Sequence, residues 1–472
     1  MSQTAGALER FAFLFSQDGG YLRIPIWGHI PLSRPARRII GHPDFVRLQR
    51  IRQLGFVSYV FPGASHTRFE HSIGAYHLSC LMLRNLVLCG SADRAGIAPE
   101  EARLFLASAL LHDVGHYPFA HLVDMLPAVD QSGGACRAFR SHEDRAVEYI
   151  AGDRSHGSIY GILKDDWKIA DPEQVARIIS DPASTGLPGR MLSGILDPDK
   201  MDYLMRDASA CGVPYGSIDA DRLIESLVLD DDGERRRLGI TEKGIAPLES
   251  LVFAKYMMFR HIYWHHAARI ASAMFTRYVQ DAVDAGVVNP EEFYRLSDDV
   301  LIESLPSDPR SVSSADLMAR LRTRELYKRG FTLFPEHPAG EEEFTLSGHE
   351  MERVKDLYRR PELRREKEIA VCRLLNDLQG FELSGFEVLL DIPRLSSVFD
   401  LADFRDLRVL VSPRAGSGGR FVPFNSFGFT LLTADFAQEF ERYSRRLQVI
   451  CRPDLREAVR TLWREITALV VA

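Results

Sequence analysis

Three short stretches concentrate the residues able to do chemistry: SHTRFEHSIGAYH at 65–77, LLHDVGHYPFAHLVD at 110–124 and LDPDKMDYLMRD at 196–207. The middle one places His112, Asp113, His116, His121 and Asp124 within thirteen residues, interrupted by Gly115 and Pro118. Each buried neutral histidine needs a hydrogen-bond partner, so packing alone does not account for this density. His112 and Asp113 stand at the polar end of an apolar run, PEEARLFLASALLH (99–112), and offer one nitrogen and one oxygen ligand side by side. His71 follows a Pro-Gly loop at the start of another helical stretch, and Asp199 adds a carboxylate from a third. Two imidazoles with two carboxylates suit Mn²⁺, Fe²⁺, Co²⁺ or Zn²⁺, whereas Mg²⁺ and Ca²⁺ prefer oxygen alone. A centre of that kind with open positions is fitted to hydrolysing phosphate esters and anhydrides.

In chain order, His71, His112-Asp113 and Asp199 match the H…HD…D signature of the HD-domain metal-dependent phosphohydrolases. The segments QLGFVSYVFPGASHTRFEHSIGAYH, LLHDVGHYPFAH and DPDKMDYLMRDASACGV resemble the SAM- and HD-domain dNTP triphosphohydrolases and their bacterial relatives, densely over about residues 22–280 and without the SAM domain. The resemblance implies hydrolysis of dNTPs at the α-phosphorus to deoxynucleoside and inorganic triphosphate. It also implies one or more divalent ions on His71, His112, Asp113 and Asp199, with Mg²⁺ able to enter with substrate. His116, His121, Asp124 and His142 match the family's catalytic group. A carboxylate-held histidine can protonate a departing oxygen or orient water, which makes His121 with Asp124 the expected acid–base pair. Arg68 and Lys200 are implied on the phosphate chain, with Tyr203 and Asp207 on the same helix as Lys200. Positions 199, 203 and 207 are four apart and share one helical face. Gln53 and Leu54 match residues lining the sugar pocket. Tyr263 and His265, from MMFRHIYWHHAAR (257–269), match its opposite wall. Arg206 is read as a structural ion-pair partner.

Relatives switched on by guanine nucleotides carry an acidic residue, a Gln and an Arg in the helix before Gln53. Gly41, Val46 and Gln49 stand at those places here, so nucleotide-driven tetramer assembly is not expected. Other polyphosphates, such as dinucleoside polyphosphates or alarmones, form the alternative substrate class. A third reading, a nucleotide-sensing or nucleic-acid-binding protein with a degenerate site, predicts a missing ligand; all four ligands are present.

The elements that must hold these groups read mainly as helices. Residues 20–32 suggest a hairpin. A helix is expected from Pro35, with Phe45, Leu48, Ile51 and Leu54 at three-residue steps and Gly55 as its stop. Further helices are expected at 69–90, 99–112, 140–152, 172–181, 189–210 and 219–229, then a charged hairpin at 230–246 and one long helix from Pro247 to Ala285. Residues 287–380 read as mostly helical and highly charged. From Gly385 onward GFEVLLDIP, LRVLVSP, FGFTLLT and LQVICRP read as strands interleaved with helices at 434–446 and 453–468. The expected fold is mainly α, an HD-domain helical core with a small α+β C-terminal region. It divides into an N-terminal segment (1–34), the core (35–285), a helical extension (286–380) and the α+β region (381–472).

Across the 472 residues, 46% hydrophobic and 26% charged content excludes long disorder as the main theme. A net charge of -7 gives no electrostatic footprint for coating nucleic acid. Six scattered cysteines without a C-x-x-C pair, no signal-peptide pattern and no apolar run of membrane-spanning length point to a cytoplasmic protein without a membrane partner. The expected partners are a nucleotide substrate and further copies of the chain, a dimer or higher, through the helices of 247–380.

Overall fold

In the computed structural model, the described residues are 6, 8–124, 126–129, 135–233, 235–335, 344–392, 407–411, 419–426 and 446–472. The N-terminal hairpin pairs β1 (Tyr21–Ile24) with β2 (Gly28–Pro31), Tyr21 opposite Pro31. α1 (Arg34–Ile40) follows, capped by the Ser33 hydroxyl, which accepts from the Ala36 N–H. The helix expected through Leu54 stops early. After Gly41 the chain makes the short helix Pro43–Val46 and a 3₁₀ turn at Arg47–Arg50, and Ile51 is extended. A competing partner explains the break: Arg52 bridges Thr67, the Gln53 N–H donates to the His66 carbonyl, and the Arg68 N–H donates to Ile51. Phe45, Leu48 and Ile51 are still buried, as their spacing requires.

α2 (Arg68–Leu88) is buried on most sides and forms the centre of the body. Packed on it are α3 (Pro99–Leu111) and, after the short α4 (His142–Val147), α5 (Pro198–Cys211). Glu100 and Glu101 start α3, and the Ala98 N–H donates to Glu101 at 3.0 Å. The stretch read as one helix over 189–210 is two, Gly186–Leu192 and α5, because the Asp197 carboxylate accepts the Lys200 N–H at 2.6 Å and starts a new helix at Pro198. Two glycines allow the close approaches that build the centre. A Cβ at Gly74 would stand 1.8 Å from Asp202 Oδ1, where α2 meets α5, and one at Gly115 would stand 1.9 Å from the His142 carbonyl oxygen.

The single helix expected over Pro247–Ala285 is α6 (Ile245–Met258) and α7 (His266–Asp284), separated by a π-helical turn at Phe259–Tyr263. His265 caps α7, its Nδ1 accepting from the Ala267 N–H. The region read as helical at 219–229 is helix only over Ala220–Glu225.

A small pair, β3 (Pro127–Val129) and β4 (Ala135–Arg137), precedes α4. The charged hairpin is present as β5 (Leu227–Asp231) and β6 (Arg236–Thr241). The remaining strands are β7 (Lys328–Leu333), β8 (Val388–Asp391), β9 (Arg408–Val411), β10 (Arg420–Pro423) and β11 (Leu447–Cys451). β9 runs parallel to β6, which gives a four-stranded sheet of order β10-β9-β6-β5. β7, from the segment read as a helical extension, joins β11 and β8 in a sheet of order β7-β11-β8 beneath α8 (Pro361–Gln379). The helix expected at 453–468 is split at Leu462 into Arg456–Thr461 and Trp463–Val471. The FGFTLLT strand and the helix at 434–446 lie outside the described residues.

The core has three parts: one around the hairpin, α2, α3, α5 and α6, one around α7, and one within the β7-β11-β8 sheet. Among the described residues no helix is long and apolar enough to cross a membrane. The fold is mainly helical, with the small α+β region expected at its C-terminus.

Candidate metal centre and the histidine cluster beside it

α2, α3 and α5 each bring ligands to one point. His71 projects from the first turn of α2, His112 and Asp113 leave the C-terminal end of α3, and Asp199 sits in the first turn of α5. His71 Nε2 lies 2.9 Å from Asp199 Oδ1, 3.1 Å from His112 Nε2 and 3.9 Å from Asp113 Oδ2. His112 Nε2 is 3.5 Å from Asp113 Oδ1 and 3.6 Å from Asp199 Oδ1. His71, His112 and Asp113 are shielded from solvent, and the Asp199 side chain is 34% exposed, which marks the open side.

The outer contacts of the two rings decide what this point can hold. His112 Nδ1 lies 2.9 Å from the Ala109 carbonyl, an acceptor only, so Nδ1 carries the proton and Nε2 the lone pair. His71 Nδ1 lies 2.8 Å from Asp202, whose carboxylate also takes the Trp27 indole N–H and the buried Arg206 guanidinium. Both imidazoles therefore turn an Nε2 lone pair toward two carboxylates, an arrangement that fits a divalent cation and is the usual outer support of a metal-binding histidine. With protons alone, burial opposes charge on His71, but Asp199 and Asp202 outweigh it and push its pKa up to about 10. Burial would raise Asp113, yet Arg68, His116 and His112 hold it well below the usual carboxylate range.

A second cluster shares Asp113. His116 Nδ1 is 3.0 Å from Asp113 Oδ1, and His116 Nε2 is 3.3 Å from His121 Nε2. Burial, with Arg68 adding to it, keeps His116 neutral by pulling its pKa well below the ordinary value. The ligand atoms of His116, His121 and His142 also lie within 4.8 Å of one another. Asp124 stands against another histidine of the cluster. Its Oδ2 is 2.9 Å from His142 Nδ1, and its Oδ1 accepts from the Tyr117 hydroxyl. α4 brings His142 over Gly115 and onto the His116 ring, with centroids 4.0 Å apart. His121, on the one-turn helix Ala120–Val123, is exposed beside a cleft of about 700 Å³ whose far wall carries Arg269, Arg364 and Asp391.

The expected substrate residues fall into two groups. Arg68 donates from Nη1 to Asp113 at 2.8 Å, and the Lys200 ammonium is held by Asp197 and by the Gly194 carbonyl at 3.0 Å. Tyr203, Asp207 and Tyr263 adjoin one another, the Tyr263 hydroxyl donating to Asp207 at 2.6 Å and the two rings 6.4 Å apart. Gln53 is tied by its backbone to His66, whose Nε2 lies 2.8 Å from Asp207. The Gln53 Oε1 and His66 Nδ1 atoms are buried there without partners among the described residues. Leu54 packs against the main core, and His265 is engaged as the α7 cap. Arg206 is the ion-pair partner expected of it. Asp202, Trp27 and His66 were not singled out by sequence reasoning. The only signal was position: Asp202 falls three residues after Asp199, and His66 five before His71.

This helical architecture resembles that of the HD-type phosphohydrolases. Residues 218–357 match the model of the HD associated region. The chain is 30% identical over 311 residues to an uncharacterised protein of Methanocaldococcus jannaschii, covering 66% of this chain and 59% of that one. It is 27% identical over 344 residues to the deoxynucleoside triphosphate triphosphohydrolase SAMHD1 of Gallus gallus, covering 64% and 55%. The chain thus spans less than two thirds of the length of these relatives. A solved phosphohydrolase from Bacteroides thetaiotaomicron shares the fold with a TM-score of 0.65 at 22% identity, over 91% of this chain and 98% of that one. The chain resembles the HD-domain phosphohydrolases of the dNTP triphosphohydrolase type.

Proposed function

We propose that the chain is a metal-dependent nucleotide phosphohydrolase that cleaves dNTPs to deoxynucleoside and inorganic triphosphate. The observation that carries this reading is the meeting of His71, His112, Asp113 and Asp199 at one point, with a histidine cluster joined to it through Asp113. The ion held there supplies water activation and polarisation of the α-phosphoryl group. The chain's own groups do the rest. Arg68, steadied by Asp113, faces the phosphate chain, and Lys200 exchanges its Asp197 contact for phosphate oxygens. The bond between the α-phosphorus and O5′ breaks, the water oxygen ends on the triphosphate, and O5′ takes a proton. His121, at the open edge of the cluster, delivers that proton, and His142, oriented by Asp124, positions the water. Gln53 and His66 meet the sugar hydroxyl with their unpaired polar atoms, while Tyr203 and Tyr263 flank the ring. The likeness to SAMHD1 supports the choice of substrate. The same reading includes a homo-oligomer, which sedimentation tests directly.

The deciding experiment incubates Mn²⁺-loaded protein, and a His112→Ala/Asp113→Ala control, with single dNTPs and with diadenosine tetra- to hexaphosphates. Deoxynucleoside plus tripolyphosphate, absent from the control, is the expected result. ATP or ADP from the dinucleotides with dNTPs untouched would overturn the substrate but keep the centre. No metal-dependent product from either would overturn both of these substrate assignments.

A further inference from the structure

A second cavity lies behind α2, away from the metal centre. Its volume is about 290 Å³, and Tyr76, Cys80 and Arg84 of α2 line it. At about 100° per residue these positions fall roughly 140°, 180° and 220° round the helix from His71, so the cavity faces the opposite side. Phe13, Leu14, Leu106 and Trp167 complete a largely apolar wall.

The polar groups on it do not balance. Two carboxylates reach the lining, and both are engaged. Asp18 accepts from the Ser16 hydroxyl at 2.6 Å and the Arg34 N–H at 2.8 Å, and Asp166 is paired with Arg38. The three cations are looser. Arg84 spends Nε and Nη2 on the Leu14 carbonyl, Arg103 lies over the Phe13 ring and comes no nearer than 4.0 Å to Glu100, and Lys168 has no ion pair among the described residues. Lys168 also adopts φ 56°, a left-handed conformation that a non-glycine residue takes at a cost. Next to it, Trp167 is 6% exposed, and its buried indole N–H has no acceptor among the described residues. An unmatched buried donor is costly to keep, so such a group signals a missing acceptor.

We propose that this cavity binds a small organic anion with a flat apolar body, of the aromatic carboxylate class. The body lies among Phe13, Leu106 and Tyr76, and the carboxylate takes the Trp167 N–H and the charge of Lys168 and Arg103. A volume of about 290 Å³ suits one or two fused rings. The site is independent of the catalytic reading, since none of these residues belongs to the metal centre or the histidine cluster.

Calorimetric titration of the full chain with benzoate and 2-naphthoate tests the assignment, with 2-naphthamide as the neutral isostere. One saturable site is expected, with the amide at least about tenfold weaker. Lys168→Glu alters an exposed side chain and Trp167→Phe removes only the N–H within a retained ring, and each is expected to weaken naphthoate by about tenfold or more. Leu106→Trp fills the cavity and is expected to abolish binding. Equal affinity for acid and amide, or unchanged affinity in both Lys168→Glu and Trp167→Phe, overturns the proposal. So does the absence of saturable binding of either acid up to about 10 mM.

Discussion

Asp113 turns one oxygen toward His112 and His116 and the other toward Arg68 and His71, so a single carboxylate joins the candidate metal point, the histidine cluster and the Arg68 guanidinium. Asp124 has the narrower task of holding His142. Replacing it with Asn removes the negative charge and leaves one acceptor oxygen for two donors, His142 Nδ1 and the Tyr117 hydroxyl, but takes away no atom of the metal point. We expect Asp124→Asn to keep its metal, measured by elemental analysis, while turnover falls about 10²- to 10⁴-fold; joint loss of metal would place Asp124 in the centre instead. Asp298 makes a prediction about stability. Burial pushes its carboxyl up to about 6 although the Arg52 N–H and guanidinium oppose the shift, and its Oδ1 has no partner among the described residues. The folded state therefore holds this proton more tightly than the unfolded chain does. That stabilisation is complete below the ordinary carboxylate value near 3.8 and is lost as pH rises through about 6, a swing of at most about 3 kcal/mol. Asp298→Asn should flatten the melting temperature between about pH 4 and 7 and raise it at neutral pH. An unchanged slope in thermal melts would assign it to another group.

At the scale of elements, the centre depends on how closely α2 approaches α5. Gly74→Ala places a methyl where Asp202 Oδ1 stands, and Asp202 is the residue that holds His71 Nδ1. The expected result is about 1–3 kcal/mol of destabilisation together with roughly 10- to 100-fold weaker metal retention. Gly348→Ala, with open space around its Cβ, is the control and should change neither. Chelator competition and denaturant melts separate the two effects. The same elements mark what was legible in the sequence. His71, His112, Asp113 and Asp199 stood out because ligand chemistry restricts residue type and spacing. Asp202 did not, because its role exists only once α5 lies against α2. α3 was readable from its nearly continuous apolar run and α2 as a long stretch ending near Gly90, but the break between α6 and α7 was hidden. The apolar pattern of MMFRHIYW runs on without a breaker residue, and the π-helical turn is made by backbone geometry. The strap at 51–53 was missed for another reason, since its partner Thr67 lies too far along the chain for local periodicity to register.

Over the whole molecule, the β10-β9-β6-β5 sheet links the C-terminal region to the catalytic body. Val409 is fully buried and stands opposite Ile240 of β6. A charge there, as in Val409→Asp, should free this strand pair and expose the β6 edge, giving earlier protease cleavage of the chain and a tendency to aggregate. Protease resistance equal to the parent chain would show that the pairing contributes little. The pairing also has a consequence in time. Gly239 and Arg408 meet from positions about 170 residues apart, across a stretch that contains α6, α7, α8 and the strands β7 and β8. During synthesis, His71, His112, Asp113 and Asp199 have all emerged long before the strand that covers β6. For that interval the nascent body carries an open strand edge that can template pairing with a neighbouring chain. The rate at which the stretch between β6 and β9 is translated therefore sets how long each new molecule is exposed to misassembly, and slow synonymous codons between positions 285 and 408 should lower soluble yield without altering any residue of the site.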